Sequence, residues 1–481
     1  MGRKGFTLIE LLAVIVILAI IALIATPIVL SIINNSKTSS SEKNVEMYLN
    51  AVELSLANNL MKDSGKSGIN GQYQIIDEGK KIKNMETGYV IPVEYKGGGL
   101  ESGVIDIKNG TIKRIKSAKT GNSYAAIVDN KIKLFNTLPE SELISGDKFS
   151  VAIKSLVSGE TKKYDDSDSL IKSVEFLSYG KLPNNYSYMD LQKMESTDVS
   201  LNKDNSILAY HDGEGNVFIY SKNLIFFHSY SGAMFYRMQG IKQVKFNTVD
   251  TSNVTSFASA FENCNNLEIV DLTALDTSKV TSMTWMFYGC NLLSEIDLSS
   301  FDTSNVTNMS NMFLGCKNLT EINVNYFDTS KVTTMAGMFS ECSSLTNIDV
   351  SGFNTKNVKN MGSMFRGCSN LKFIDVSNFD TTSLTYIGGM FNICTNLEEI
   401  KLGNFNIENV TGMEYMFYGC TNLKKLNLVS FDTANITNMS YMFAACKNLT
   451  EIVVSNKWVI KDSANTNNMF TNCGTDKVTL N

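Results

Sequence analysis

The stretch FDTSNVTNMSNMFLGCKNLTEINV, residues 301–324, is followed almost at once by FDTSKVTTMAGMFSECSSLTNIDV at 327–350 and returns as FDTANITNMSYMFAACKNLTEIVV at 431–454. Cysteines fall at 264, 290, 316, 342, 368, 394, 420 and 446, each 26 after the last, and Cys473 comes one residue late. Phenylalanines at 261, 287, 313, 339, 365, 391, 417 and 443 keep the same step. Upstream, Phe235, Met238, Ile241 and Val244 fit the frame with a methionine in the cysteine place. A unit this short cannot bury its own apolar face, so repetition at a fixed period implies stacked coils that share one core.

Each unit reads as one coil. In Leu319-x-x-Ile322-x-Val324 the apolar residues sit at strand spacing and should point inward. Phe327 follows, then Asp328-Thr329-Ser330 as a turn, then Val332, Met335, Met338 and Phe339 at helix-like spacing. An Asp or Asn at that turn suits an Asx-turn or a helix N-cap. Stacking would place the strands in a parallel sheet on one side and the helical turns on the other. The pattern resembles the leucine-rich repeats of BspA-like bacterial surface proteins, in the variant DTSxVTxMxxMFxxCxxL. The resemblance implies an exposed, elongated module that binds proteins or glycans.

The first residues carry a different signal. MGRKGFTLIE is followed by an apolar run from Leu11 to Ile33, about 34 Å long as a helix and enough to span a hydrocarbon core. Arg3 and Lys4 precede the run, which puts that end in the cytoplasm and the chain beyond Ile33 outside. Glu10 stands one step before the run, where a carboxylate is costly without a partner. An ammonium on its own or a neighbouring helix would offset that cost. Glu10 is therefore better read as an assembly device than as a catalytic carboxylate.

Gly5-Phe6-Thr7-Leu8-Ile9-Glu10 with the apolar helix and Pro27 resembles the start of a type IV pilin or pseudopilin. The resemblance implies cleavage by a prepilin peptidase between Gly5 and Phe6, N-methylation of Phe6, and pairing of Glu10 with the freed amino group of a neighbouring subunit. Other pilin subunits and the membrane are then the expected partners, with the chain a single-pass membrane protein whose C-terminal part is extracellular.

Between these two signals, Val45, Leu49, Val52, Leu56 and Leu60 mark an amphipathic helix. Residues 89–95, 103–107, 111–115 and 123–134 read as short strands of an antiparallel meander, with tight turns at 108–110 and 129–131. Farther on, Leu170–Leu177 is strand-like, and residues 207–220 read as a hairpin around His211-Asp212-Gly213. The expected organisation is a leader at 1–5, a transmembrane and assembly helix at 6–33, a pilin-like head at 34–150, a linker and solenoid cap at 151–233, repeats at 234–456 and a C-terminal cap at 457–481. The fold class is α/β: a long N-terminal helix with a small antiparallel head, then a leucine-rich repeat solenoid with 26-residue coils.

Charge excludes one class of partner. The net charge is −5, and Lys plus Arg outnumber Asp plus Glu by only 16 to 14 over residues 34–150 and trail by 17 to 22 over 234–481. Nucleic acid needs a concentrated basic surface, so it is not an expected partner. Enzyme activity is not expected either, since no GxSxG, HExxH or phosphate-loop pattern occurs and the chain has two histidines, His211 and His228. No cofactor is expected.

The cysteines allow three readings. No two lie in CxxC spacing, which argues against zinc. Equivalent side chains on stacked coils lie about 4.8 Å apart, whereas bridged Cβ atoms want nearly 3.8 Å, which argues against disulfides. A buried ladder of small hydrophobes remains. The column Asp250, Asp276, Asp302, Asp328, Asp380 and Asp432 could recruit Ca²⁺, but Asn354 and Asn406 interrupt it and turn capping is the simpler role. Outward strand positions carry Glu295, Asp297, Glu321, Asn323, Asn347, Asp349, Phe373, Asp375, Glu399 and Lys401. That polar, mildly acidic face is the candidate binding surface, for a host or cell-surface protein or glycan. The alternatives are a pseudopilin of a secretion or DNA-uptake system, or a membrane-anchored surface protein that does not polymerise.

Overall fold

The computed structural model describes residues 40–56, 71–76, 79–84, 90–93, 100–108, 111–120, 123–128, 131–135 and 140–481. The apolar helix expected at 6–33 lies outside the described residues, among which no helix is long and apolar enough to cross a membrane. The chain divides into two units, 1–139 and 140–481. Residues 140–150, grouped with the head on sequence, lie in the second unit, because the strand β8 (Glu140–Glu142) pairs with β13 (Leu224–Phe226), which also pairs with β15 (Val249–Asp250).

In the first unit α1, the helix over residues 40–56, buries Val45, Tyr48, Leu49, Val52 and Leu56. It packs against a sheet of seven antiparallel strands in the order β3-β2-β1-β4-β5-β6-β7. Here β1 is Gly71–Ile76, β2 Lys81–Asn84, β3 Val90–Pro92, β4 Ser102–Lys108, β5 Thr111–Thr120, β6 Ser123–Val128 and β7 Lys131–Phe135. From β4 onward the strands form the expected meander, with 123–134 as two strands, whereas β3 does not pair with β4 as expected, because β2 and β1 lie between them. The sequence reading missed β1 and β2, although Tyr73, Ile75 and Ile82 alternate inward along them. The Glu53 carboxylate accepts a 2.7 Å hydrogen bond from the Ile112 amide and ties helix to sheet.

The second unit opens with α2 (Gly146–Ser158), whose Phe149 and Ile153 are fully buried. The strand β9 (Ser173–Leu177) then lies between two different pairings. On one side come β12 (Asn216–Tyr220), β11 (Leu208–His211) and β10 (Glu195–Asp198), where β10 to β12 are antiparallel. On the other side β9 pairs in parallel with β14 (Gln243–Phe246), which pairs in parallel with β16 (Ile269–Asp271). The cap thus changes the parallel ladder of the coils into antiparallel strands, and one core runs from Leu143 to Met469.

In the coil 327–352 the residues expected inside are inside: Val332, Met335, Met338, Phe339, Cys342 and Leu345 expose none of their surface. The Phe rings at 235, 261, 287, 313, 339, 365, 391, 417, 443 and 470 stack coil on coil at centroid spacings from 5.0 to 6.0 Å. The expected helical turns are not helices. Amides of Met335, Gly337, Phe339 and Glu341 donate at 2.6–3.0 Å to carbonyls of the next coil, at Asn360, Gly362, Met364 and Arg366. The amides between them close turns instead, Met338 to Met335, Ser340 to Gly337 and Cys342 to Phe339. A helix would need all of these amides for itself. Diverting alternate ones requires left-handed backbone once per turn, at Trp285, Asn311, Tyr415 and Tyr441 in one column and Asn263, Glu341 and Ile393 in the other, all with φ of 56–60°. The strand side is also less continuous than expected. Strands form at β16, β17 (Phe373–Asp375), β18 (Glu399–Lys401), β19 (Lys425–Leu428) and β20 (Glu451–Val454), whereas residues 295–298, 321–324 and 347–350 form no regular ladder.

Candidate functional site

The strand side presents two columns of outward residues. Glu295, Glu321, Asn347, Phe373 and Glu399 occupy the first, and Asp297, Asn323, Asp349, Asp375 and Lys401 the second; all are exposed except the half-buried Asp375. Parallel pairing sets Phe373 beside Glu399 and Asp375 beside Lys401. The Lys401 ammonium lies 5.1 Å from the centre of the Phe373 ring, a cation–π geometry. One coil on, Lys425 and Glu451 form a 2.7 Å ion pair.

The second column also closes the strands. Asp297, Asn323, Asp349 and Asp375 each accept the amide two residues ahead, from Ser299, Asn325, Ser351 and Ser377, at 2.9–3.1 Å. Those bonds favour the charged carboxylate, so the Ser299 backbone amide holds Asp297, and the Ser377 hydroxyl and amide hold Asp375, below the usual carboxylate range. Among the described residues no such local bond is made by Glu295, Glu321 or Glu399 in the first column, whose carboxylates are exposed.

The Asp column lies at the next corner. Asp250, Asp276, Asp302, Asp328, Asp380 and Asp432 each accept the amide two residues on, at 2.8–3.1 Å. Asn354 and Asn406 do the same. Each carboxylate is thus turned toward its own turn. Among the described residues no three His, Cys, Asp or Glu side chains converge as a metal site.

The cysteines from Cys264 to Cys446 are buried and unbridged. Each Sγ donates to the Phe carbonyl of the preceding coil, as Cys368 does to Phe339 at 3.1 Å and Cys446 to Phe417 at 2.9 Å. Desolvation raises their thiols, Cys316, Cys368 and Cys446 to about 12. A thiol held that high is a poor nucleophile and a poor metal ligand. His211 and Asp212 close the hairpin turn: His211 Nε2 accepts the Gly215 amide at 3.2 Å and Asp212 Oδ1 accepts those of Glu214 and Asn216.

Gly5, Phe6 and Glu10 lie outside the described residues. The sequence reading passed over the turn side, where Trp285, Tyr386, Ile393 and Tyr415 are 37–44% exposed. Their columns hold mostly Ala, Ser, Asn and Gly in other coils, with exceptions such as Thr334 and Glu341, so no period flags them.

Two family profiles match the chain. One, described as "Mycoplasma protein of unknown function, DUF285", matches residues 232–321, 290–375 and 365–480, together just over half of the chain. The other, described as "Prokaryotic N-terminal methylation motif", matches residues 1–26. No curated protein matches the chain.

Proposed function

The chain belongs to the family described as Mycoplasma protein of unknown function, DUF285, and from that premise we propose that it displays its coils at a bacterial cell surface for adhesion. The chain joins a prepilin-like methylation segment to BspA-like repeats. In this reading a prepilin peptidase cuts between Gly5 and Phe6, Phe6 is N-methylated, and Glu10 pairs with the amino terminus of a neighbouring subunit. The protein is then a minor or tip subunit of a type IV pilus-like filament, since a second unit of 342 residues, 140–481, is bulky for every subunit of a shaft. The strand-side columns around Glu321, Phe373 and Glu399 are its binding surface.

One observation carries the proposal: a methylation motif at residues 1–26 and an exposed repeat array at 232–480 stand on the same chain. The motif supports membrane insertion and assembly, and the array offers an extended surface of the kind solenoids use for binding. Mass spectrometry of sheared surface filaments should find this chain starting at N-methylated Phe6. Glu10→Ala should cut filament incorporation sharply while leaving the membrane-inserted precursor. A chain that keeps Met1 through Gly5 and stays out of filaments would sink the assembly half of the proposal and leave a membrane-anchored surface protein.

A further inference from the structure

The two ends of the coil stack are not equivalent. On the turn side, alternate amides of one coil donate to carbonyls of the next, as Met439, Tyr441, Phe443 and Ala445 do to Asn465, Asn467, Met469 and Thr471 at 2.8–3.0 Å. Thr466, Asn468, Phe470 and Asn472 hold the same donor places in the coil at 457–481. The amides between them close the usual turns, Met469 to Thr466, Thr471 to Asn468 and Cys473 to Phe470. Asn468 and Asn472 keep the left-handed backbone, with φ of 58° and 56°. Yet among the described residues the amides of Thr466, Asn468, Phe470 and Asn472 meet no acceptor. The strand side of this coil is continued, since β21 (Thr479–Leu480) pairs with β20.

The opposite end of the stack is shut. There the acceptor places fall to the carbonyls of Tyr230, Gly232, Met234 and Tyr236. The helix α2 lies over them: the Gly146 amide donates to the Tyr230 carbonyl at 3.0 Å, and a Cβ at Gly146 would collide with the Gly232 carbonyl. Head-to-tail stacking of copies therefore finds no open acceptor row, and tail-to-tail contact would set donors against donors. Apolar surface accompanies the free amides. A cavity of about 470 Å³ is lined by Ile460, Thr466, Asn468, Met469, Phe470 and Thr471, none of them charged. The Phe470 ring stacks on Phe443 at 5.4 Å and ends the ladder, and Ile460 is 40% exposed.

We propose that the turn side of the coil at 457–481 is a docking site for an extended segment of a partner polypeptide, which lies on it as a further coil would. The partner's alternate backbone carbonyls accept from Thr466, Asn468, Phe470 and Asn472. An aromatic side chain directly after the third carbonyl stacks on Phe470, just as Phe470 follows Met469 and stacks on Phe443. The contact continues the interface already made between every pair of coils, with the same donors and the same ring one step on. Main-chain bonds along an open edge supply affinity in such docking, and side-chain pockets supply selectivity. The site is separate from the strand-side columns and goes beyond the adhesion reading.

The test uses the full chain in detergent and the synthetic peptide TNMSYMFAA, residues 437–445. In the stack that sequence offers the carbonyls of Asn438, Ser440, Met442 and Ala444 and the ring of Phe443 to the coil before it. Hydrogen exchange read by mass spectrometry should find residues 466–472 exchanging faster than 439–445 in the free chain, and slowed when the peptide is added. By fluorescence anisotropy the labelled peptide should bind with a Kd below about 1 mM, weakly because it must order on binding. Phe443→Ala in the peptide and Phe470→Ala in the chain should each weaken binding at least tenfold. Ile460→Asp, which leaves the Phe ladder intact, should do the same, and Phe373→Ala on the strand side should change nothing. The proposal is overturned if the peptide does not bind, if Phe470→Ala and Ile460→Asp both bind it as the parent does, or if residues 466–472 are as protected as 439–445 before it is added. It is overturned too if the full chain forms a dimer that Ile460→Asp splits, which would make a second copy the occupant. None of these outcomes bears on cleavage after Gly5.

Discussion

Cys368 shows what a repeated cysteine does here. Phe339 O already accepts the Cys342 amide at 3.2 Å within its own coil, and the Cys368 thiol fills its second lone pair at 3.1 Å. Cys368→Val keeps the volume and removes the donor, which should cost about 0.5–1.5 kcal/mol in urea unfolding. Cys368→Ser, which keeps a donor, should cost less than the valine. A serine that destabilises more would mean that the thiol is held for its apolar bulk alone. Lys154 is the other telling residue. It is buried under the cap, donates to the Asp166 carbonyl at 2.8 Å and to that of Tyr164 at 3.3 Å, and desolvation lowers it from 10.5 to about 8. Between pH 8 and 10.5 the unfolded chain binds a proton that the folded chain releases, so stability gains from this residue as pH rises through that window. Below pH 8 both states are charged and the full desolvation cost is present. The unfolded thiols ionise over the same alkaline range and pull the other way, so the measurement is a difference. Below pH 8 the thermal midpoints of the parent and Lys154→Met should differ by a constant gap, which should move in the parent's favour by pH 10. A gap independent of pH would show that the amine is not titrating in the fold.

At the scale of one coil, two ladders bind each rung to the next. The Phe ladder supplies apolar contact, and a Phe339→Ala truncation should cost about 3–5 kcal/mol. The threonine ladder supplies register. Thr329 Oγ1 donates to the Asn354 carbonyl at 3.0 Å and accepts the Asn354 amide at 2.8 Å, and Thr277 does the same for Asp302. Thr329→Val is nearly isosteric but leaves both backbone groups unpaired at a part-buried corner, for about 1–3 kcal/mol of destabilisation by urea titration. A loss under about 0.5 kcal/mol would mean that water reaches the corner. Ile407 replaces the threonine in its coil. The ladders were legible because identical side chains recur at one step. The turns were not, because Met335, Met338 and Phe339 keep helix-like spacing while their amides serve the next coil. Left-handed backbone at Trp285, Glu341, Ile393 and Tyr415 has no signature in those side chains. It is imposed by coil-to-coil bonding, which no single unit can display. The strand-side columns were legible as outward positions, but the local duty of Asp297 and Asp375 was not, since it depends on the amide two residues ahead. The turn-side tyrosines escaped notice because they break the repeat.

For the whole second unit, stability should add up coil by coil, since each coil touches only its neighbours. Removing residues 327–352 deletes one full period and joins Tyr326 to Phe353. Phe313 would then stack on Phe365, Cys368 would donate to the Phe313 carbonyl, and every ladder would close again. The shortened unit should fold with one cooperative transition and a slightly smaller urea m-value, since less surface is exposed on unfolding. Removing half a period, residues 327–339, should instead abolish folding, because Phe rings would face strand residues and buried amides would lose their acceptors. The ends obey a different rule. The antiparallel strands Glu195–Asp198, Leu208–His211 and Asn216–Tyr220 cover the parallel edge that begins at Ser173–Leu177, and α2 buries Phe149 against Phe235 at 6.2 Å. A chain cut at residue 230 would expose Phe235, Met238 and Val244 together with unpaired backbone, a template for edge-to-edge association. Light scattering should therefore find the uncapped solenoid aggregated while the coil-deleted one stays monodisperse in the same detergent. If the uncapped chain were as soluble as its parent, the cap would not be what closes the stack.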